Sequence, residues 1–431
     1  MATSASSAAL PLTAGQEWRV NWPLVLAAMI GLSFGSIPSA TLGLFMHPLE
    51  QEFGWNRAEI SLGMTIFAVV GLPLGPIIGM MVDRFGARRI VIPGLVLVGT
   101  SFASFSLMTG DYWQWMAIWV LYTISSIFIR SLVWNTAVSA SFLAGRGLAI
   151  AVVMSGLAIA QMAGPPLTDR LIDAFGWRSA YTIIGLGWAG VALVLVLLFF
   201  KDRTTALPAR HARQESGQAV QRPGGISVRQ ALRNPVVIRI GFAISLQALI
   251  GAGVLIHLVP MLTLAGLSRT EAAGLAALLG LASFFGNFAA GWLMDRVRGN
   301  LVPFCFFASP ALGYLLIFYG GSSMAIFSAA VVVLGIGGGG ALQIGIYLTT
   351  RYAGLRNFGT IYGIISSLQS GLSGVGPLVT GLIFDATGTY SLVLLMAMPT
   401  AVFTGLLVFG LGRYPDFAPV PAERAAPDMG E

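Results

Sequence analysis

The sequence predicts an all-α membrane protein of twelve transmembrane helices, arranged as two six-helix, pseudo-symmetric halves, and three observations carry that prediction. The first is composition: of 431 residues, 56% are hydrophobic and 10% charged, whereas a soluble globular chain is about one-quarter charged. The second is a succession of twelve apolar segments, each near the roughly 20 residues that a helix needs to cross about 30 Å of hydrocarbon. The third is an internal repeat at one offset, 212 residues.

In chain order, a polar tail over 1–21 precedes the first span, 22–46. The tail has one basic residue, Arg19, and the apolar run outlasts the core of a secretory signal, so the first helix is read as permanent. Spans at 60–82, 90–109, 113–137, 148–171 and 179–200 complete the first bundle, 22–200. The polar stretch 201–234 carries Pro208, Pro223, Gly224 and seven basic residues and reads as a cytoplasmic linker. The second bundle, 235–412, holds spans at 235–262, 271–294, 301–319, 325–349, 359–384 and 390–412, and a tail follows over 413–431. The single cysteine, Cys305, falls in the ninth span and excludes an internal disulfide.

Basic residues stay on the cytoplasmic side of short loops. Eighteen of the 24 sort to one side, among them Arg19, Arg84, Arg88, Arg89, Arg146 and the linker cluster, against Arg57, Arg170, Arg178 and Arg269 on the other. Both termini are therefore expected in the cytoplasm. The net charge of +7 follows from this asymmetry and calls for no nucleic-acid partner.

The repeat is carried by charge. Gly54, Arg57 and Glu59 match Gly266, Arg269 and Glu271; Asp83 and Arg84 match Asp295 and Arg296; Gly164, Pro165, Asp173 and Gly176 match Gly376, Pro377, Asp385 and Gly388. In so apolar a chain, charged identities at one offset are the informative ones. Two parallel halves related in this way place a binding site near the membrane midplane, between them.

The segment Gly79-Met-Met-Val-Asp83-Arg84-Phe-Gly86-Ala-Arg88-Arg89 resembles the G-x-x-x-D-R-x-G-x-R-R signature of the major facilitator superfamily, and Gly291-Trp-Leu-Met-Asp295-Arg296 is its partial copy. Within that superfamily, the stretch from Phe45 to Glu59, with Arg146-Gly-Leu-Ala-Ile-Ala and Phe175-Gly176-Trp177-Arg178-Ser-Ala-Tyr181, resembles monocarboxylate transporters and oxalate/formate exchangers. The resemblance implies alternating-access secondary transport of a small organic anion such as a monocarboxylate, by proton symport or anion exchange, in a bacterial inner membrane. It also implies gating roles for Asp83, Arg84, Arg88, Asp295 and Arg296, whose loops pair charge across the halves. In that branch the eighth span commonly supplies a basic residue; here Ala272–Met294 holds no Lys, Arg or His, and Asn287 is its strongly polar interior residue.

Arg130 is the sharpest single signal. It lies 17 residues after Trp113 and 16 before Arg146, about 24–26 Å from either end of a helix and hence near the midplane. A charge there faces a polar cavity or a partner, and a guanidinium fork suits a carboxylate. The readings are a substrate clamp, a structural Arg on backbone carbonyls, or one that snorkels. Every Asp and Glu falls at a helix end or in a loop, which favours a mobile anion as its partner. Trp134, one turn on, stacks on that guanidinium or packs.

Among the amides inside apolar spans, Asn135, Gln161, Gln247, Asn287, Gln343 and Gln369, interhelical bonding is the bland reading. Gln247 and Gln343, in the seventh and tenth spans that line the cavity in this superfamily, are expected with Asn287 to meet substrate. His47 and His257 are the candidates for proton coupling, each more simply read as a satisfied interfacial residue.

Gly337–Gly340 is no phosphate loop, because no Lys-Ser/Thr follows and the run lies within a span. The Gly-Pro steps at Gly164-Pro165 and Gly376-Pro377 resemble drug/proton antiporters and keep efflux of a hydrophobic compound open as the alternative. No clustered carboxylates, nucleophile with its base or metal ligands are present to suggest an enzyme. No cofactor is expected, and the chain is expected to act as a monomer.

Overall fold

The computed structural model describes residues 13–142, 145–200, 224–297, 299–354, 356–415 and 417. The tail 1–12, the linker up to 223 and most of the last fifteen residues lie outside them. Among the described residues the chain is helical, with one isolated bridge between Gly225 and Gly354 and no strand.

The first helix, α1 (Ala14–Phe53), has a 3-10 turn at Phe34–Ser36 and starts two turns before the expected boundary at 22. Gln16 Oε1 accepts from the Thr13 N–H at 3.0 Å, and Glu17 accepts from Gly145 N at 2.9 Å, which fixes that extra length. Helix α2 comes in two pieces, Arg57–Gly71 and Gly75–Phe85. Pro73 falls in the gap, where it removes an N–H and crowds the preceding turn. Next come α3 (Ala87–Leu107) and α4, the latter formed by Tyr112–Ser126, a 3-10 turn at Ile127–Ile129, and Ser131–Ser141.

One apolar run, Leu148–Phe199, holds 52 residues, roughly 78 Å of straight helix and far more than one crossing. Gly176, at φ 78° and ψ 164°, divides it into α5 and α6, and the chain returns until the Leu197 carbonyl meets Arg88 at the start of α3. The second half holds α7 (Pro235–Leu264), α8 (Arg269–Arg296), α9 (Leu301–Tyr319), α10 (Met324–Ala353), α11 (Phe358–Thr387) and α12 (Ser391–Val408).

Nine described runs are long and apolar enough to cross a membrane, with Leu148–Phe199 counted once. Dividing that run at Gly176, then adding the broken α2 and the Gly- and Ser-rich α11, gives twelve.

The halves meet through α2 on α11 and α5 on α8. These contacts obey the 212 offset. Gly280 of α8 lies so close to Gln161 and Met162 of α5 that a Cβ would stand 2.9 Å from their backbone, and at the paired positions Gly374 of α11 packs on Ala68 of α2. Small residues permit backbone approach where lipid supplies no hydrophobic drive.

Candidate functional site

A cavity of about 980 Å³ lies between the halves, walled mainly by α5, α7, α8, α9 and α10, with Gln369 and Ser373 from α11 and Ser36 from α1. It runs from the middle of the bundle toward the end that carries Arg146 and Arg296. The wall includes all three amides expected to meet substrate, Gln247, Asn287 and Gln343, together with Gln161 and Gln369. Gln247 Oε1 accepts from Thr404 Oγ1 at 3.1 Å; the other four make no side-chain hydrogen bond to a described residue and present both donors and acceptors to the space. Aromatic rings from Phe284, Phe288, Trp292 and Tyr314 complete a wall that, among the described residues, has no charged side chain. The glycine run of α10 serves close packing: a Cβ at Gly339 would strike the Ser283 carbonyl of α8, and one at Gly340 the Phe306 ring of α9.

Arg130 is not on this wall. It is half-buried at the break in α4, in extended backbone (φ −65°, ψ 156°), with its guanidinium against Gly71 at the break in α2. No hydrogen bond or ion pair joins that guanidinium to any described residue. Leu342, 212 residues on, does line the cavity, so Arg130 holds in the first half the register that faces the passage in the second.

Of the two options for Trp134, the structure takes packing. The indole is fully buried beneath Gly31 and edge-on to Phe200, and its Nε1 donates to the Ile129 carbonyl at 2.7 Å. That carbonyl is one the interrupted helix leaves without a partner. Asn135 donates to the Met154 sulfur at 3.7 Å.

The gate candidates Asp83 and Asp295 lie within helices, but their side chains fall outside those described. Arg84 lies over Phe85, Arg296 lies over Trp292 at 4.1 Å, and Arg88 donates to the Leu197 carbonyl, so none of the three bonds across the halves to a described residue.

The opposite end is closed by a network that the sequence shows only in part. His47 is exposed there, whereas His257 is fully buried. His257 Nδ1 lies 2.8 Å from Tyr390 Oη, and Nε2 lies 3.0 Å from both Ser61 Oγ and the Pro377 carbonyl. Arg57 donates to Tyr390 Oη at 2.6 Å and to Glu50 at 2.7 Å, while Asp385 accepts from the N–H groups of Arg57 and Ala58. The repeat supplies a second closure: Arg269 binds Asp169 at 2.6 Å and also Asp173. Arg57 with Asp385 and Arg269 with Asp173 are the same positions paired 212 residues apart, the first through the Arg57 backbone N–H and the second through the Arg269 guanidinium. The matched charges marked these positions as a repeat and not as contacts; nothing in the sequence signalled Tyr390. Arg239, unassigned from sequence, donates to the carbonyls of Leu406, Leu407 and Phe409 and caps the end of α12.

A family model described as Major Facilitator Superfamily matches residues 23–377 and 265–428. The monocarboxylate transporter 4 of Rattus norvegicus is 25% identical over 410 residues, covering 91% of this chain and 83% of that protein. The 4-hydroxybenzoate transporter PcaK of Pseudomonas putida is 24% identical over 431 residues, covering 86% and 95%. A crystal structure of a D-xylose-proton symporter superposes with a TM-score of 0.72 at 13% identity, over 91% of this chain and 98% of the other, a likeness of fold alone.

Proposed function

The chain belongs to the major facilitator superfamily, whose members are secondary transporters, and on that footing we propose that its cargo is a small organic acid bound as the anion. Arg130 carries this reading: a mid-membrane guanidinium without an acceptor among the described residues is a costly arrangement unless an anion visits it. Two relatives whose names specify carboxylates, a monocarboxylate and 4-hydroxybenzoate, support the same class. The acid's organic body fits against the amides and rings of the cavity, with Gln247, Asn287 and Gln343 orienting it, and its carboxylate reaches Arg130 as the first bundle turns toward the passage.

In this reading the bundles 22–200 and 235–412 rock about their interface, tied by the linker 201–234, in a bacterial inner membrane with both termini cytoplasmic. The closed end faces outward. The charged loops at Asp83, Arg84, Arg88, Asp295 and Arg296 close the inner end when the outer one opens, and the monomer is the transporting unit. A proton or a counter-anion completes the cycle.

The test is uptake of radiolabelled carboxylates into proteoliposomes, with and without a pH gradient. Arg130→Lys keeps the charge and loses the fork, so uptake falls at least tenfold while the protein still inserts. Full uptake of every acid by Arg130→Ala overturns the assignment. One observation favours a second reading, carriage of an uncharged hydrophobic compound outward: among the described residues the cavity wall bears no charge. Competition by the uncharged amide of a transported acid, as effective as the acid itself, would select it.

A further inference from the structure

We propose that His257 is a proton-binding site built into the contact that closes one end of the bundle, and that it takes its proton only when that contact opens. The proposal rests on alternating access and not on the nature of the cargo.

The hydrogen bonds assign themselves. The Pro377 carbonyl can only accept, so the ring proton is assigned to Nε2, which Ser61 Oγ shares at the same 3.0 Å. Nδ1 is then a lone pair, and Tyr390 donates its hydroxyl hydrogen to it at 2.8 Å. The Tyr390 oxygen accepts from Arg57 Nη1 at 2.6 Å. Each ring nitrogen is thus satisfied with one ring proton, and the imidazole is neutral.

A second ring proton has none. It would lie on Nδ1, pointing at an oxygen that already accepts from a guanidinium, and would turn the Tyr390 hydrogen out of its bond. Two cations would then share one phenol oxygen in a site without water access. Among the described residues no carboxylate bonds to the ring itself. Around His257 stand Ser61 and Arg57 of α2, Tyr390 at the head of α12 and the Pro377 carbonyl of α11, and the charged group acting on it is Arg57. Glu50 of α1 and Asp385 of α11 are engaged on Arg57 itself, through its Nε and its backbone N–H.

The contact also joins the halves: Ser61 and Arg57 belong to the first, His257, Pro377 and Tyr390 to the second. Opening this end pulls them apart and lets water reach the ring, which then titrates near an exposed histidine's ordinary value of about 6.5. The open state therefore binds more protons than the closed one, and by linkage acid favours opening. The ratio of open to closed should rise about tenfold between pH 7.5 and 5.5.

Spin labels on Gln51→Cys and Ala386→Cys, exposed positions on either half at this end, report opening in the full chain in lipid, with the exposed Cys305 replaced by Ser. The long-distance population should grow about tenfold over that pH range, with the rise setting in below about pH 6.5. In His257→Gln, which keeps a donor and an acceptor without a charge, the distribution should not respond to pH. A pH response equal to that of the unaltered histidine, or none in the protein with His257 intact, overturns the proposal. Should His257→Gln fail to assemble, Tyr390→Phe gives the answer: it keeps the ring and removes the hydroxyl that holds the closed contact, so the pH at which open and closed populations are equal moves higher, and an unmoved value also overturns it.

Discussion

Arg130 owes its place to an interrupted helix. A guanidinium in the middle of a regular α4 would share its turn with satisfied carbonyls; here the 3-10 turn at Ile127–Ile129 ends and extended backbone follows. Trp134 answers for one freed carbonyl, that of Ile129. Trp134→Phe keeps most of the ring and leaves the carbonyl buried without its donor, so thermal unfolding in detergent should show a loss of about 1–2 kcal/mol. Uptake should weaken with it, because the break positions Arg130. The depth of Arg130 was legible, since counting residues from either end suffices. Its break was not: Ser126-Ile-Phe-Ile-Arg130-Ser contains neither Pro nor Gly, and the helix gives way where α4 packs against α1, α2 and α3, contacts that no local sequence reports. The same limit hid the His257 network, whose members come from four distant segments.

At the scale of elements, the contacts between halves depend on side chains that are absent. A side chain at Gly280 would be driven into the backbone of Gln161 and Met162, so Gly280→Val should separate α8 from α5, and uptake should fall below a tenth with a lowered melting temperature. Gly274, one and a half turns earlier, has no neighbouring atom within 4 Å of a built Cβ; Gly274→Ala should be neutral or stabilise by about 0.5–1 kcal/mol. Gly176 is a different case. Its positive φ divides α5 from α6, and Gly176→Ala should cost about 1–2 kcal/mol in the same melt because an L residue resists that backbone. The apolar segments expected at 60–82 and 359–384 are α2, which Pro73 splits, and α11, whose small residues trade apolarity for close approach, so both spans were legible and the break in α2 was not.

For the whole molecule, the repeat yields two closures at one end. Removing Arg269 strands Asp169, whose side chain is 2% exposed, and an uncompensated buried charge is expensive. Arg269→Ala should therefore raise the open population several-fold in the spin-label measurement, and more when combined with Asp385→Asn than either substitution gives alone. The charges that form these closures are legible as a repeat in the sequence, because duplication preserves them at one spacing. The cavity's neutrality was not legible, since which face of each helix turns inward is a matter of packing.

The two interruptions in the first half lie side by side, the gap in α2 at Gly71 meeting the gap in α4 at Arg130, whereas α8 and α10, their counterparts, run unbroken for 28 and 30 residues. One half thus has a pliable waist where the other is a stiff strut, and the work of changing shape is divided unequally between two copies of one design. Amide hydrogens at 71–75 and 127–131 should exchange faster than those at 283–287 and 339–343, marking where the transporter bends.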